Sequence, residues 1–180
     1  YETSIKHQSL YSGYKYESIR PDVLAFASIN KSSKNKNHKS KPRLLFCFGG
    51  TDPNKFMFRI PKVLKILDEK LNESIEVRLI YSINENNFIN ISNEDFNRIN
   101  ITSISHTSLI AKELKESDIV ICGNGRMVYE ATVLDNFVLS IPQNSREATH
   151  TFNRDMPGNL QLPLHSLIND TEIVNSIILM

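Results

Sequence analysis

Short, continuous apolar runs alternate along the chain with segments whose apolar residues recur at spacings of three and four. Runs of this kind predict strands buried on both faces, and the three-and-four spacing predicts helices. The predicted strands cover residues 43–48, 75–81, 99–104, 119–122 and 137–141, with a short last strand within residues 158–162. Helices are predicted at residues 56–71, 108–116 and 127–134, after Ser145, and at residues 172–178 behind a Thr171 cap. This alternation predicts an α/β fold, a Rossmann-like parallel sheet with helices on both faces.

The stretch around residue 124 organises the rest of the chain. Gly123 and Gly125 flank Asn124 directly after the predicted strand at residues 119–122, and a helix follows them. A glycine turn lets the backbone approach a ligand closely, and the helix start directs free N–H groups at it. Glu130, about two turns into that helix, could accept hydrogen bonds from the hydroxyls of a ribose. Two interpretations stay open here: half of a nucleotide pocket, or a tight strand-to-helix turn with a solvated Glu130.

Two further polar turns follow predicted strands. Gly49, Gly50 and Thr51 come after residues 43–48, and Pro142 closes residues 137–141 ahead of a polar segment that contains Asn144 and Glu147. In open parallel sheets, ligands bind beyond the carboxyl ends of the strands, where all three turns are expected. Neither GxxxxGK[ST] nor GxGxxG is present. The predicted convergence of the turns, and no single turn, is the physical argument for a site.

Composition narrows the function classes. The 180 residues suit one domain with an appendage, 40% of them are hydrophobic, and the formal net charge is +1. This balance predicts no binding of nucleic acid or anionic lipid, and no run is long enough to span a membrane. Cys47 and Cys122 each lie in an apolar run and are interpreted as buried thiols, so we expect a cytoplasmic protein. The spacing of Cys and His residues predicts no metal site, and no separate cofactor is expected.

Three segments are predicted along the chain. Residues 1–27 form an N-terminal or interdomain segment, expected to be ordered but irregular because Arg20-Pro21 interrupts any helix. Residues 28–42 are rich in Lys, Asn and Ser and form a flexible basic linker or loop; a nucleic-acid patch is the disfavoured alternative, since no aromatic residue interleaves the lysines. Residues 43–180 form the nucleotide-binding domain.

Two further side chains have alternative interpretations. His150 could act as a general base or phosphate donor, but a histidine in a first helical turn is more often a packing or surface residue. Asp52 could act as a base, but Thr51-Asp52-Pro53-Asn54 is also ordinary turn chemistry, and the turn is favoured. The sequence contains no GxSxG elbow and no HExxH motif, so the catalytic residues are left unassigned.

Three motifs carry a resemblance to a known class of enzymes. They are Gly49-Gly50-Thr51-Asp52-Pro53-Asn54, the run Gly123-Asn124-Gly125-Arg126-Met127-Val128-Tyr129-Glu130-Ala131, and Asn144 with Glu147. Together they resemble the C-terminal half of GT-B-type nucleotide-sugar enzymes. They are most similar to the UDP-2,4-diacetamido-2,4,6-trideoxy-altropyranose hydrolases of pseudaminic acid biosynthesis, and resemble spore-coat polysaccharide relatives and domains fused to acylneuraminate cytidylyltransferases. The segments Tyr14-Lys15-Tyr16 and Ile19-Arg20-Pro21 resemble the connection between the two halves in that hydrolase group.

The resemblance implies roles for these residues. The backbone around Gly50 and Thr51 would face a diphosphate or sugar, the turn from Gly123 to Met127 would hold base and phosphate, and Glu130 would bind the ribose hydroxyls. Asn144 and Glu147 would approach the diphosphate or sugar. The candidate binding residues are therefore Gly49, Gly50, Thr51, Asp52, Gly123, Asn124, Gly125, Arg126, Met127, Glu130, Asn144 and Glu147.

Departures from the pattern qualify this expectation. Arg126 stands where many relatives carry a small residue, and could be a phosphate clamp or a surface arginine. Asn136-Phe137 replaces a usual Gly-Ile-Pro-like step. In the hydrolase group an N-terminal domain carries the catalytic histidine and a glycine-rich loop, and nothing before Tyr14 supplies them. We therefore expect this chain to bind a UDP- or CMP-linked sugar without turning it over. Hydrolysis is the expected reaction; glycosyl transfer, or a non-catalytic module fused to a cytidylyltransferase, is the alternative.

Overall fold

The strands form one parallel sheet. The computed structural model describes residues 18–30, 41–49, 52, 54–81, 91–104 and 107–180, apart from the side chains of residues 29 and 30. The strands are β1 (Arg43–Cys47), β2 (Ile75–Ile80), β3 (Ile99–Ile104), β4 (Ile119–Cys122), β5 (Phe137–Ser140) and β6 (Leu160–Gln161). Their order is β3-β2-β1-β4-β5-β6, and every neighbouring pair is parallel. The predicted Rossmann-like sheet is confirmed.

The helices cover both faces of this sheet. They are α1 (Pro21–Asn30), α2 (Ile60–Lys70), α3 (Ile110–Lys115), α4 (Arg126–Val133), α5 (Ser145–Ala148) and α6 (Asp170–Ile178). Short 3-10 helices lie at Phe56–Arg59, Asn93–Asp95 and Phe152–Asp155. Successive strand residues point to opposite faces, so Phe46 of β1 joins the core under α2 and α6 while Leu45 joins the core under α1, α3 and α4.

The first predicted segment contains a helix that the sequence analysis missed. Residues 18–26 were expected to be irregular, but Pro21 is the first residue of α1. Proline is tolerated there because the first helical N–H has no partner within the helix and its fixed φ suits the helix. Val23 is fully buried and anchors α1 against α3 and α4; burying a valine side chain stabilises a fold by about 1.5–3 kcal/mol.

Two predicted helix caps were also assigned to the wrong residue. The cap of α5 is Asn144, whose side chain accepts the N–H of Glu147, and not Ser145. The cap of α6 is Asn169, which forms a capping box with Glu172, and not Thr171. In each case an asparagine stands one or two positions earlier and binds the N–H three residues on.

The predicted segment boundaries stay predictions. The helix α1 ends at Asn30, inside the segment predicted as a linker, whereas residues 31–40 and Tyr14-Lys15-Tyr16 lie outside the described residues. Both cysteines are free and buried, as expected. Among the helices that the structure describes, none has the length and hydropathy to cross a bilayer.

Candidate functional site

The topology places a crevice between β1 and β4. These strands are neighbours, with Cys47 paired to Cys122 at their carboxyl ends. The chain leaves β1 toward α2 on one face of the sheet and leaves β4 toward α4 on the other. The two connections therefore diverge and leave an opening above the sheet, which is the switch point where ligands bind in this architecture.

The turn after β1 begins at Gly49, which has a φ of +84°. A Cβ built there would meet no atom of the described residues within 4 Å, so the backbone borders open space among them. Asp52 points inward instead. It is 2% exposed and its carboxylate accepts the N–H groups of Phe56 and Met57 at 3.0 and 2.9 Å. These contacts agree with the favoured interpretation of Asp52 as a turn residue. Gly50 and Thr51 lie outside the described residues.

The turn after β4 presents the start of α4 to the same crevice. Gly125 is the residue before the helix, and no side chain of the described residues caps the first turn. A Cβ at Gly125 would meet no atom within 4 Å in the part of the chain that the structure describes. Uncapped N–H groups at a helix start attract anions, because they are free donors at the positive end of the helix dipole. Arg126 is exposed and Met127 is half-buried at this edge.

Asn124 is fully buried and joins this turn to the next one. Its Nδ2 donates to the backbone oxygens of Glu147 and His150, at 2.9 and 3.1 Å. Its own backbone oxygen lies 3.0 Å from His150 Nδ1. A carbonyl can only accept, so Nδ1 carries the proton in this contact. The expected packing role of His150 agrees with this geometry.

Glu147 and Asn144 also bind the protein's own backbone. Glu147 Oε2 accepts the N–H groups of Asn124 and Gln143, at 3.0 and 2.9 Å. Asn144 Oδ1 accepts the N–H of Glu147 at 2.9 Å. These contacts fix the rim from within, and the approach of either side chain to a diphosphate or sugar stays a prediction.

Two residues that the sequence analysis did not select connect the outer turns. Asn54, after β1, donates through Nδ2 to the backbone oxygen of Gln143, after β5. Gln143 is 4% exposed and donates to the backbone oxygen of Ile141 at 2.9 Å. Three turns therefore meet along one edge of the sheet. The sequence shows that these turns are polar, but it gives no signal that Asn54 and Gln143, 89 residues apart, are hydrogen-bonded to each other.

Glu130 is buried and does not point into bulk solvent, since its residue exposure is 4%. Burial raises the pKa of Glu130 and Asp22 adds to that effect, while the charges of Arg20 and Arg126 oppose it. A carboxylate removed from water on the helix that begins at the open Gly125 suits a ligand that donates hydroxyl groups. The expected solvation of Glu130 in the alternative interpretation is therefore wrong, whereas its role toward a ligand stays a prediction.

An aromatic group that includes Tyr129 of α4 was also missed. The rings of Tyr129 and Phe152 stack with centroids 4.2 Å apart, and the His150 ring lies 5.4 Å from that of Phe152. No cluster of three or more metal-binding side chains exists among the described residues. The groups that the crevice offers to a ligand are therefore the backbone N–H groups at the start of α4 and the carboxylates around it.

Solved structures of glycosyltransferases share this fold. The chain is similar to MurG of Acinetobacter baumannii with a TM-score of 0.58 and 14% identity, over 87% of this chain and 43% of that one. It is similar to the spinosyn rhamnosyltransferase SpnG, solved with thymidine diphosphate, with a TM-score of 0.53 and 17% identity, over 78% and 37%. It is also similar to Escherichia coli ADP-heptose lipopolysaccharide heptosyltransferase II, with a TM-score of 0.54 and 11% identity, over 90% of this chain and 52% of that one.

These likenesses establish the architecture of the chain as a Rossmann-like half of the GT-B fold. The chain spans about half of these proteins or less. No protein-family profile and no curated protein sequence matches it.

Proposed function

We propose that the chain is the nucleotide-sugar-binding half of a GT-B enzyme. The observation that supports this most strongly is the meeting of three turns at the β1–β4 switch point, beside an uncapped helix start and a buried glutamate. In this proposal the diphosphate lies against the N–H groups at the start of α4, where Arg126 adds positive charge. The ribose hydroxyls donate to Glu130.

The open glycines give the ligand room. A Cβ at Gly49 or Gly125 would extend into unfilled space, so the bare backbone at both positions can approach a phosphate closely. Gly123 is different, because a Cβ there would meet Glu147 Oε2 at 3.3 Å. We therefore assign Gly49 and Gly125 to ligand contact and Gly123 to the packing of the rim.

The reaction has two candidates. Glycosyl transfer is supported by the fold shared with a rhamnosyltransferase and a heptosyltransferase. Hydrolysis of a UDP-sugar in pseudaminic- or sialic-type surface-sugar biosynthesis is supported by the motif resemblance at residues 49–54 and 123–131. In both proposals a second domain completes the cleft, since the chain corresponds to about half or less of the similar structures. A non-catalytic module beside a cytidylyltransferase is the alternative role.

Calorimetry with UDP, CMP and GDP tests the proposed function. We expect the chain to bind one of them and Glu130→Ala to weaken that binding by about tenfold or more, as expected when a hydrogen-bonded charged group is lost. Glu69→Ala is the matched control, because Glu69 is an exposed glutamate on α2, at the opposite face of the sheet. Absence of binding to all three nucleotides would overturn the proposal, and unchanged affinity in Glu130→Ala would remove the ribose role.

A further inference from the structure

The positive charge nearest to Glu130 among the described residues is that of Arg20, which belongs to neither the sheet nor the three turns of the site. Arg20 lies directly before α1, and α1 packs against α3 and α4. Arg20 Nε is 3.5 Å from Glu130 Oε1, with side-chain exposures of 38% for the arginine and 5% for the glutamate. The Nε atom is buried and makes no hydrogen bond among the described residues, so its contact with Glu130 is an ion pair. The segment that precedes the sheet therefore reaches the carboxylate that we assign to the ribose.

We propose that Arg20 is a positioning residue of the nucleotide site: its guanidinium keeps the Glu130 carboxylate ionised and oriented toward the crevice. This inference rests on the proposed function. An ionised carboxylate only accepts hydrogen bonds, and ribose hydroxyls supply the donors. A protonated Glu130 would lose part of its acceptor capacity and would turn a donor toward the ligand. The arginine acts through the glutamate and needs no contact with the nucleotide.

Among the charges around Glu130, that of Arg20 matters most for keeping the carboxylate ionised. Burial raises the pKa of Glu130, and Arg20 is the strongest opposing influence among the described residues. Asp22, in the first turn of α1, raises the pKa further, and Arg126, one turn earlier on α4, lowers it. Cys47 of β1 also faces this carboxylate, but burial raises the pKa of its thiol to about 11, so it stays neutral.

Arg20 also limits the influence of Asp22. Its Nη2 lies 3.1 Å from Asp22 Oδ2, so the same guanidinium pairs with both carboxylates. Removing Arg20 would leave a buried carboxylate beside an unshielded one. The burial of Glu130 and the charge of Asp22 would then both favour its protonation, because a low-dielectric surrounding and a like charge each disfavour its ionised form.

The test measures two quantities in wild type, Arg20→Gln and Arg20→Lys. The first is the affinity for UDP, CMP or GDP, whichever the wild-type chain binds, between pH 5 and pH 8. The second is the titration of the Glu130 side-chain carboxyl by NMR, without ligand. We expect Arg20→Gln to raise the pKa of Glu130 and to weaken nucleotide binding most at pH 5, since an upward shift of one pKa unit lowers the ionised fraction by up to about tenfold once the pH lies below both pKa values. The loss should shrink toward pH 8, and Arg20→Lys should restore most of the affinity.

The control is Arg98→Gln, which removes an exposed arginine beside β3 and should change neither quantity. Thermal unfolding of each variant identifies loss of folding. If Arg20→Gln leaves both the Glu130 titration and nucleotide affinity unchanged while the wild type binds nucleotide, this inference alone is overturned. Tighter binding by Arg20→Gln would also overturn it, since Arg20 would then compete with the ligand. A wild-type chain that binds none of the nucleotides would overturn the proposed function and this inference together.

Discussion

The carboxylate of Glu147 accepts the backbone N–H of Asn124 at 3.0 Å across 23 residues of sequence. The same oxygen accepts the N–H of Gln143 at 2.9 Å. One side chain therefore fixes the turn after β4 against the turn after β5. Hydrogen bonds to an ionised acceptor are stronger than neutral ones, so this contact holds the rim of the crevice in shape.

Replacing Glu147 should weaken the fold more than its half-exposed position suggests. Glu147→Ala leaves two N–H groups without their acceptor, and we expect a loss of about 2–4 kcal/mol in the free energy of unfolding. Urea denaturation measures this quantity. Arg146→Ala is the control, because Arg146 is exposed and surface changes usually stay within about 0.5 kcal/mol. Equal midpoints for both variants would show that the Glu147 contacts contribute nothing to stability.

The glycines of the turn after β4 should respond differently to the same substitution. A Cβ at Gly123 would meet Glu147 Oε2 at 3.3 Å, whereas a Cβ at Gly125 would meet none of the described atoms within 4 Å. We expect Gly123→Ala to cost about 1–3 kcal/mol in the free energy of unfolding through overpacking. Gly125→Ala should cost about 0.5 kcal/mol, as at other helix N-caps, yet weaken nucleotide binding because its methyl group enters the crevice.

Denaturation and calorimetry on both variants separate these effects. Each is the other's control, since both add one methyl group to the same turn, next to Glu147 at Gly123 and into the crevice at the N-cap position Gly125. A Gly125→Ala variant that binds nucleotide as tightly as the wild type would place the ligand elsewhere. A Gly123→Ala variant of unchanged stability would show that Glu147 yields without cost.

Asp135 lies two residues after the end of α4, in a backbone conformation that suits glycine better than aspartate. Its φ is +62°, a left-handed value that costs most L-residues about 1–2 kcal/mol. We expect Asp135→Gly to raise the free energy of unfolding by about 0.5–1 kcal/mol, after subtracting the entropy that glycine loses on folding. Asp135→Ala should lower it, since alanine has neither the freedom of glycine nor a polar side chain. Thermal unfolding tests both, and two changes of the same sign would contradict the argument.

The fold could be predicted because its strands are short, continuous apolar runs. Those of β1 and β4 are read directly from the sequence, and so are the glycine turns that follow them. The helix α1 was missed because its sequence, PDVLAFASIN, is apolar on all sides and shows no period. Arg20-Pro21 looked like a break, although proline in a first helical turn is compatible with a helix.

The site was predictable only in its local parts. Glu130 could be selected because its distance from Gly125 places it on α4, near the crevice. Its pairing with Arg20 spans 110 residues, and the Glu147 contacts depend on how two turns meet in space. No period or spacing in one sequence encodes such contacts. The resemblance assigned Asn144 and Glu147 to a ligand, which stays a prediction; their hydrogen bonds to nearby backbone groups were not predicted.

Asp170 illustrates a charge pair whose contribution should depend on pH. Its carboxylate binds Arg59 at 2.7 Å and Lys62 at 3.0 Å, at the start of α6. Burial acts to raise the pKa of Asp170, but hydrogen bonds from Lys62 and Arg59 outweigh it and hold the pKa below its ordinary value. Arg59 also donates to the backbone oxygens of His165 and Ile168, at 2.9 Å each. Arg59 and Lys62 thus join the first part of α2 to the start of α6 and to the segment before it.

Because the pKa of Asp170 is lower in the folded state, the unfolded state binds more protons as the pH falls. The stabilisation is therefore complete above the ordinary aspartate pKa, about 3.9, and is lost as the pH falls through that value to the lower folded one. Asp170→Asn should lower the free energy of unfolding by about 1–3 kcal/mol at pH 7, and the difference from wild type should shrink below about pH 4. Denaturation at pH 7 and pH 3.5 measures both. Asp155→Asn, at an exposed position, is the control for the same chemical change, and an Asp170→Asn difference that grows on acidification would contradict the assigned pairing.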